Sequence, residues 1–348
     1  MKVTKWLAAA LSVAVISTTA VQAQDKRVRV QMGGAFPSST AILGPAQQRT
    51  VDMMRNMSGG SIDVKLFEPG ALVPAGQYFD ASSNGSLDMA WTVSGFFTGK
   101  NIAFAIFSTV PFGPEAGEFM AWMRFGGGEQ LMEEMYKPHK IVIMNCGLIP
   151  PEASGWFRKE IKTLDDLKGL KMRFFGLGAN VMQKLGVATQ LLQAGEIFQA
   201  LQLGTIDATE FSMPAMDITL GFHQIAKFYY FPGWHQMSTL SHLFISESKW
   251  AEFSASQKAI IKSSCDAQMV NQLAEGEFRQ FSAMKELTEK HGVQIKFWDK
   301  TFLDAFHAKW LEVAKEQSDK SPDFKKVWDH FQKFRADYKI WKDHGYLK

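Results

Sequence analysis

Residues 163–211 read TLDDLKGLKMRFFGLGANVMQKLGVATQLLQAGEIFQALQLGTIDATEF. A short helix capped by Thr163 (TLDDLKG) leads to a strand (KMRFFG), then to a helix closed by Gly186 (LGANVMQKLG). A strand–helix pair over 189–206 and a new strand ending at Glu210 complete the unit. Strands alternating with helices in this way call for a parallel, helix-covered sheet. Arg173 and Glu210 then fall at the carboxyl ends of neighbouring strands, the edge at which open α/β sheets hold ligands.

The alternation extends in both directions. Upstream lie a strand VRVQMGG, a helix over about 41–57 ended by Gly59 and Gly60, a strand SIDVKLFEPG stopped by Pro69 and Gly70, a helix near 76–84 and a short strand over 87–91. A helix near 116–135 precedes the strand KIVIMNCG. From Ser254, which with Gln257 forms a capping-box pattern, helical composition runs to Lys290, a length of about 50 Å at 1.5 Å per residue. Such a helix is expected to brace two lobes. The tail places Phe324, Val327, Trp328, Phe331, Phe334, Tyr338 and Trp341 at helical spacing, which reads as a helix packed on its own core or, alternatively, as a dimer contact.

Composition sets further bounds. Lys2 and Lys5 precede an apolar run, and small residues end at Val21-Gln22-Ala23, the pattern of a secretory leader cut after Ala23. The run is shorter than the ~20 residues a membrane span requires, so a soluble, exported protein is expected, with a periplasmic location. Without residues 1–23 the 38 basic side chains fall by two against 35 acidic ones. A net charge of +1 gives no argument for nucleic acid. The remaining length exceeds the size at which single cores stop growing, so two lobes are expected. Cys146, after a strand, and Cys265, inside the long helix, could pair in an oxidising compartment but read first as separate buried thiols; they lack the spacing of a zinc site.

Enzyme signatures fail. There is no HExxH, GxSxG or GxxxxGK[ST]. GLGANV, residues 176–181, begins like a dinucleotide fingerprint but has Val181 at the third glycine position. The eight histidines show no metal-ligand pairing. No enzyme activity is expected, and the aromatic and methionine content suits a binder with large apolar contact surfaces.

Arg173, between an apolar strand and a glycine turn, would be partly desolvated and needs an anion. Its planar fork suits a ligand carboxylate, or it forms an ion pair with an acid of its own lobe. Glu210, read alone, is a surface acid at a strand end.

Residues 151–236, together with FEPGALVPAGQYFDASSNGSLDMAW and STVPFGPEAGEFMAWMRFGGG, resemble the solute-binding proteins of tripartite ATP-independent periplasmic (TRAP) transporters, within them the branch that binds 2-oxo and 2-hydroxy acids. The resemblance implies a two-lobed α/β periplasmic-binding-protein fold of type II, with hinge-crossing segments. It implies lobe I over 24–149 with approximately 238–276 and 305–348, and lobe II over 150–237 with approximately 277–304. It implies an organic acid as ligand, handed to a small and a large membrane subunit. Arg173 would clamp the carboxylate. Glu210 by its side chain, Phe211 by its backbone oxygen and the residue at Gln236 would hold Na+ or Ca2+ beside it, hard cations that take oxygen ligands.

Three positions depart from that pattern. Gln236 stands after His235 where relatives carry a glutamate, which weakens a hard-cation site. Glu152 stands where they carry a glutamine; it could pair with Arg173, meet a cationic or hydroxyl group of the ligand, or restore the metal charge. Ser94, Gly95 and Phe96 replace a Pro-Tyr-aromatic run, and loss of a tyrosine at Gly95 predicts a larger pocket and a 2-oxo acid bulkier than pyruvate, lined by Phe96, Phe174, Phe211 and Trp234. The alternatives are an aromatic or polyhydroxy carboxylate bound without metal and, less in keeping with the motifs, an exported enzyme.

Overall fold

Strand β1 (Val28–Gly34) opens the first of two sheets and is joined there by β2 (Ile62–Phe67), β3 (Met89–Thr92) and β4 (Ile141–Ile149). The chain then builds the second sheet from β5 (Gly155–Phe157), β6 (Lys171–Arg173), β7 (Ala188–Gln190), β8 (Ala208–Thr209) and β9 (Phe228–Phe231). It returns to the first with β10 (Thr239–Ser246) and to the second with β11 (Gln294–Phe297). The orders are β2-β1-β3-β10-β4 and β11-β9-β5-β8-β6-β7. This computed structural model describes residues 25–347; the leader expected at residues 1–23 lies outside the described residues.

The expectation of a purely parallel sheet is corrected. β1 pairs in parallel with β2 and β3, and β6 with β7 and β8, but β10 runs antiparallel to β3 and β4, and β5 to β8 and β9. The reason lies in the crossings. β4 leaves the first sheet beside the returning β10, with Ile149 paired to Thr239, and β5 enters the second beside the departing β9, with Gly155 paired to Tyr230. Two neighbouring segments crossing in opposite directions, residues 150–154 and 232–238, make the strands that feed them antiparallel.

Helix Ala255–Glu289 is 35 residues long and begins at the capping box expected from Ser254 and Gln257. It packs on β4 and on helix Leu43–Met57 of the first lobe and on helix Pro214–Leu220 of the second, and so braces both. The same packing corrects the reading of the cysteines: Cys146 on β4 and Cys265 on this helix form a disulfide. Sequence position separates them by 119 residues, whereas the helix lies directly on the strand.

The helix expected near 116–135 is two, Ala116–Phe125 and Gly128–Tyr136. Gly127 between them has φ of 92°, a left-handed conformation that glycine adopts without steric cost. Helix Lys300–Lys320 lies along helix Gly176–Lys184, and the last helix, Pro322–Gly345, returns to the first lobe. Phe324, Val327 and Phe331 of its apolar stripe are buried, while Trp341 is 57% exposed. The first part of the stripe is therefore core.

Candidate functional site

Arg173 ends β6 beside Thr209, the last residue of β8, so that Glu210 follows immediately on the neighbouring strand. Both side chains are buried, which corrects the surface position read for Glu210 alone: the strand end lies inside the lobe junction and not at its edge. Arg173 Nη1 donates to Glu210 Oε2 at 2.8 Å and to the Glu210 carbonyl at 2.7 Å, and Nε donates to the Leu192 carbonyl at 3.2 Å. The guanidinium also lies 5.4 Å from the centre of the Phe211 ring. The intralobe ion pair is present, and it leaves Nη2 without a hydrogen bond to any described residue. Arg173 lines a cavity of about 30 Å³, so Nε and Nη1 are held by protein and Nη2 is left over at a cavity wall.

The two crossing segments supply the rest of the polar end. A Cβ on Gly233 would stand 2.1 Å from the Glu152 carbonyl oxygen, so the Pro-Gly-Trp corner needs glycine there to let the segments touch. They are held by Glu152 N–H to the Gln236 carbonyl at 3.2 Å and by Gln236 Nε2 to Glu152 Oε1 at 3.0 Å; Gln236 Nε2 also reaches Thr239 Oγ1 at 2.7 Å. Glu152 and Gln236, the two positions at which the charge pattern departs, are thus hydrogen-bonded neighbours. Of the readings open for Glu152, a hydrogen bond to Arg173 is not formed.

Ligand atoms of Glu152, Glu210 and His235 lie within 4.8 Å of one another. Glu152 Oε2, Glu210 Oε1, Gln236 Oε1 and both ring nitrogens of His235 are buried without hydrogen-bond partners. Unsatisfied buried oxygens of this kind are costly unless a partner arrives. The set fits a cation: two carboxylates and the His235 imidazole converge, with the Gln236 amide hydrogen-bonded to Glu152 beside them and Phe211 following Glu210 in the chain. Burial first, then the charges of Glu210 and Asp217, push the Glu152 carboxyl well above the usual carboxylate range, and a cation would offset that cost.

The remaining apolar walls are Phe36, Leu43, Val93, Phe96 and Ile149 from the first lobe and Phe175 and Phe211 from the second, and Ser212 and Thr239 add hydroxyls to the lining. Trp234 and Phe174 do not line the cavity: Trp234 packs against Phe112, Phe306 and Phe174. At Gly95 a Cβ would stand 2.4 Å from Phe175 Cζ, so the ring of Phe175 occupies the room beside this position.

Sequence reading missed Phe36, Phe175, His235 and Asp217. Asp217 accepts from Trp156 Nε1 and Tyr229 Oη, both at 2.8 Å, and from the Ser212 N–H at 3.2 Å. Burial pushes its carboxyl up to about 7 despite these hydrogen bonds. Phe175 carried the one usable signal, as an aromatic residue two positions after the strand end that holds Arg173.

Residues 33–321 match the family described as bacterial extracellular solute-binding protein, family 7. A monocarboxylate 2-oxoacid-binding periplasmic protein of Nostoc is 31% identical over 93% of this chain and 89% of its own length. Among solved structures, a TRAP transporter solute-binding protein of Bordetella bronchiseptica is 34% identical, with a TM-score of 0.89 over 91% of this chain and 94% of that one. It is a mixed-occupancy dimer, with copurified calcium and picolinate in one active site and an apo second site. Another from Pseudoalteromonas atlantica, with sodium and pyruvate bound, is 28% identical, with a TM-score of 0.87 over 91% and 96%. The two lobes, the long brace and the polar cluster at their junction accordingly have their place in one family: the chain belongs to the DctP-type solute-binding proteins of TRAP transporters.

Proposed function

We propose that the protein captures a small organic acid carrying a second donor atom beside its carboxylate, a 2-oxo acid foremost, and presents it in the periplasm to the membrane subunits of a TRAP transporter. The observation that carries this reading is the Arg173 guanidinium, with Nη2 left over by its protein partners, on a cavity whose other polar lining residues are Glu152, Ser212, Gln236 and Thr239, with the unpartnered Glu210 Oε1 within reach of Glu152 behind them. A carboxylate takes the arginine through charge-assisted hydrogen bonds. The oxygen or nitrogen next to it is left facing the acidic cluster, where a cation between them removes the repulsion. Glu152 and Glu210, with Gln236 and the Phe211 backbone oxygen, would hold that cation, which supplies positive charge and oxygen affinity. Glu152 on the crossing segment restores the carboxylate that Gln236 lacks. A 2-oxo carboxylate and picolinate share this donor pattern, which agrees with the ligands of the related structures. A polyhydroxy acid fits less well, because seven of the twelve lining residues, Phe36, Leu43, Val93, Phe96, Ile149, Phe175 and Phe211, are apolar.

Because both lobes line the cavity, ligand binding is coupled to hinged closure. Thermal unfolding against pyruvate, longer 2-oxo acids, 2-hydroxy acids, picolinate and sugar acids tests the reading. Ligand at a hundredfold its Kd stabilises the fold by about 2.7 kcal/mol. A shift with 2-oxo acids that disappears on calcium chelation and on replacing sodium by potassium is expected. Equal shifts with sugar acids, or none with any 2-oxo acid, would overturn it.

A further inference from the structure

Phe175 sits at the polar end of the cavity on the second lobe, but its ring seats on the first. Its N–H donates to Glu210 Oε2 at 3.0 Å, which ties the main chain to the Arg173–Glu210 pair. The ring meets Phe96 edge to face, with centroids 5.2 Å apart and planes at 83°. It lies over Gly95, where an added Cβ would come within 2.4 Å of Cζ and 3.2 Å of each Cε. The seat is anchored: Ser94 N–H donates to His242 Nδ1 at 3.2 Å, and Ser94 Oγ donates to the Phe104 carbonyl at 2.9 Å. Gly95 is not among the glycines with positive φ, so its backbone accepts alanine and the constraint there is space.

We propose that Phe175 and Gly95 form a gauge between the lobes that determines specificity for the ligand's side chain, a proposal that rests on the acid-binding function above. The Phe175 ring reaches its seat only when the lobes are together, and it is also a cavity wall. An acid with a small or flat body leaves the ring seated and lets the lobes close. A bulky body displaces the ring from Gly95 and holds the lobes apart. Size selection is thereby read as closure, through a residue whose main chain is fixed to the carboxylate-binding pair.

Titration calorimetry at fixed calcium, with pyruvate, picolinate and phenylpyruvate, tests this on the mature protein and on Gly95→Ala, Phe175→Leu and the double variant. Gly95→Ala should weaken pyruvate by about tenfold, since closure meets a methyl group in the seat. Phe175→Leu should move the phenylpyruvate-to-pyruvate affinity ratio by about tenfold in favour of the larger acid. In the Phe175→Leu background, Gly95→Ala should cost about threefold or less, because the clashing ring is gone. An unchanged selectivity ratio, or the same Gly95→Ala cost with and without the ring, overturns the gauge while leaving the function intact. Failure of the parent to bind any of the three overturns both. Should Gly95→Ala not fold, the selectivity ratio of Phe175→Leu decides alone.

Discussion

Arg173 and Glu210 stand at the ends of adjacent parallel strands and form a buried ion pair, with one guanidinium nitrogen 2.8 Å from the carboxylate and 2.7 Å from the carbonyl of the same residue. The acid orients the arginine from behind and leaves Nη2 over at a cavity wall. Structural pairing and ligand clamping, alternatives for the sequence, are one arrangement in the fold.

It follows that removing either partner confounds folding with binding. Glu210→Gln should destabilise by about 3–5 kcal/mol, the cost of leaving a buried charge without its partner. Arg173→Lys keeps the charge and loses the planar fork. It should retain most of the fold while weakening acid binding by about tenfold or more. Denaturant unfolding and calorimetry on the two variants separate the effects.

Asp217 imposes a pH dependence on stability. Its folded pKa, raised to about 7 from 3.8, means that the native state holds a proton the unfolded chain has released between those values. Stability contributed by the neutral acid is therefore present below pH 3.8, falls as pH rises and levels off above about 7. The slope approaches ~1.4 kcal/mol per pH unit between the two. Subtracting the Asp217→Asn profile of unfolding free energy from the parent's should isolate this slope; parallel profiles would show that Asp217 titrates as it does when unfolded.

The disulfide closes a loop of 119 residues between β4 and the bracing helix. Loop entropy of that size corresponds to about 4–5 kcal/mol. The Cys146→Ala, Cys265→Ala double variant should unfold at lower denaturant, while acid affinity stays within about threefold of the parent's because the bond lies away from the polar cluster.

The tail helix divides at about its middle. Phe331, fully buried against Trp122 at 4.8 Å between ring centroids, should cost about 3–5 kcal/mol when replaced by alanine. Trp341→Ala, at an exposed position, should stay within about 0.5 kcal/mol in the monomer. A Trp341→Ala effect that grows with protein concentration in sedimentation and unfolding experiments would assign the exposed half to a dimer contact.

The amino-acid sequence by itself determined the features that arise among near neighbours. Alternation of strand and helix signals placed Arg173 and Glu210 at adjacent strand ends, and Ser254 with Gln257 marked the start of the long helix. Each depends on backbone periodicity or capping within a few residues. Tertiary structure alone decided what depends on packing between distant segments. Glu152 and Gln236 meet across 84 residues, because two crossing segments lie side by side. Cys146 meets Cys265 because a helix lies on an edge strand. The vacancy at Gly95 is filled by Phe175 because the second lobe brings a ring to it. A side chain deleted at one position shows only that space is available; which atoms take that space is set by close packing across the whole interior.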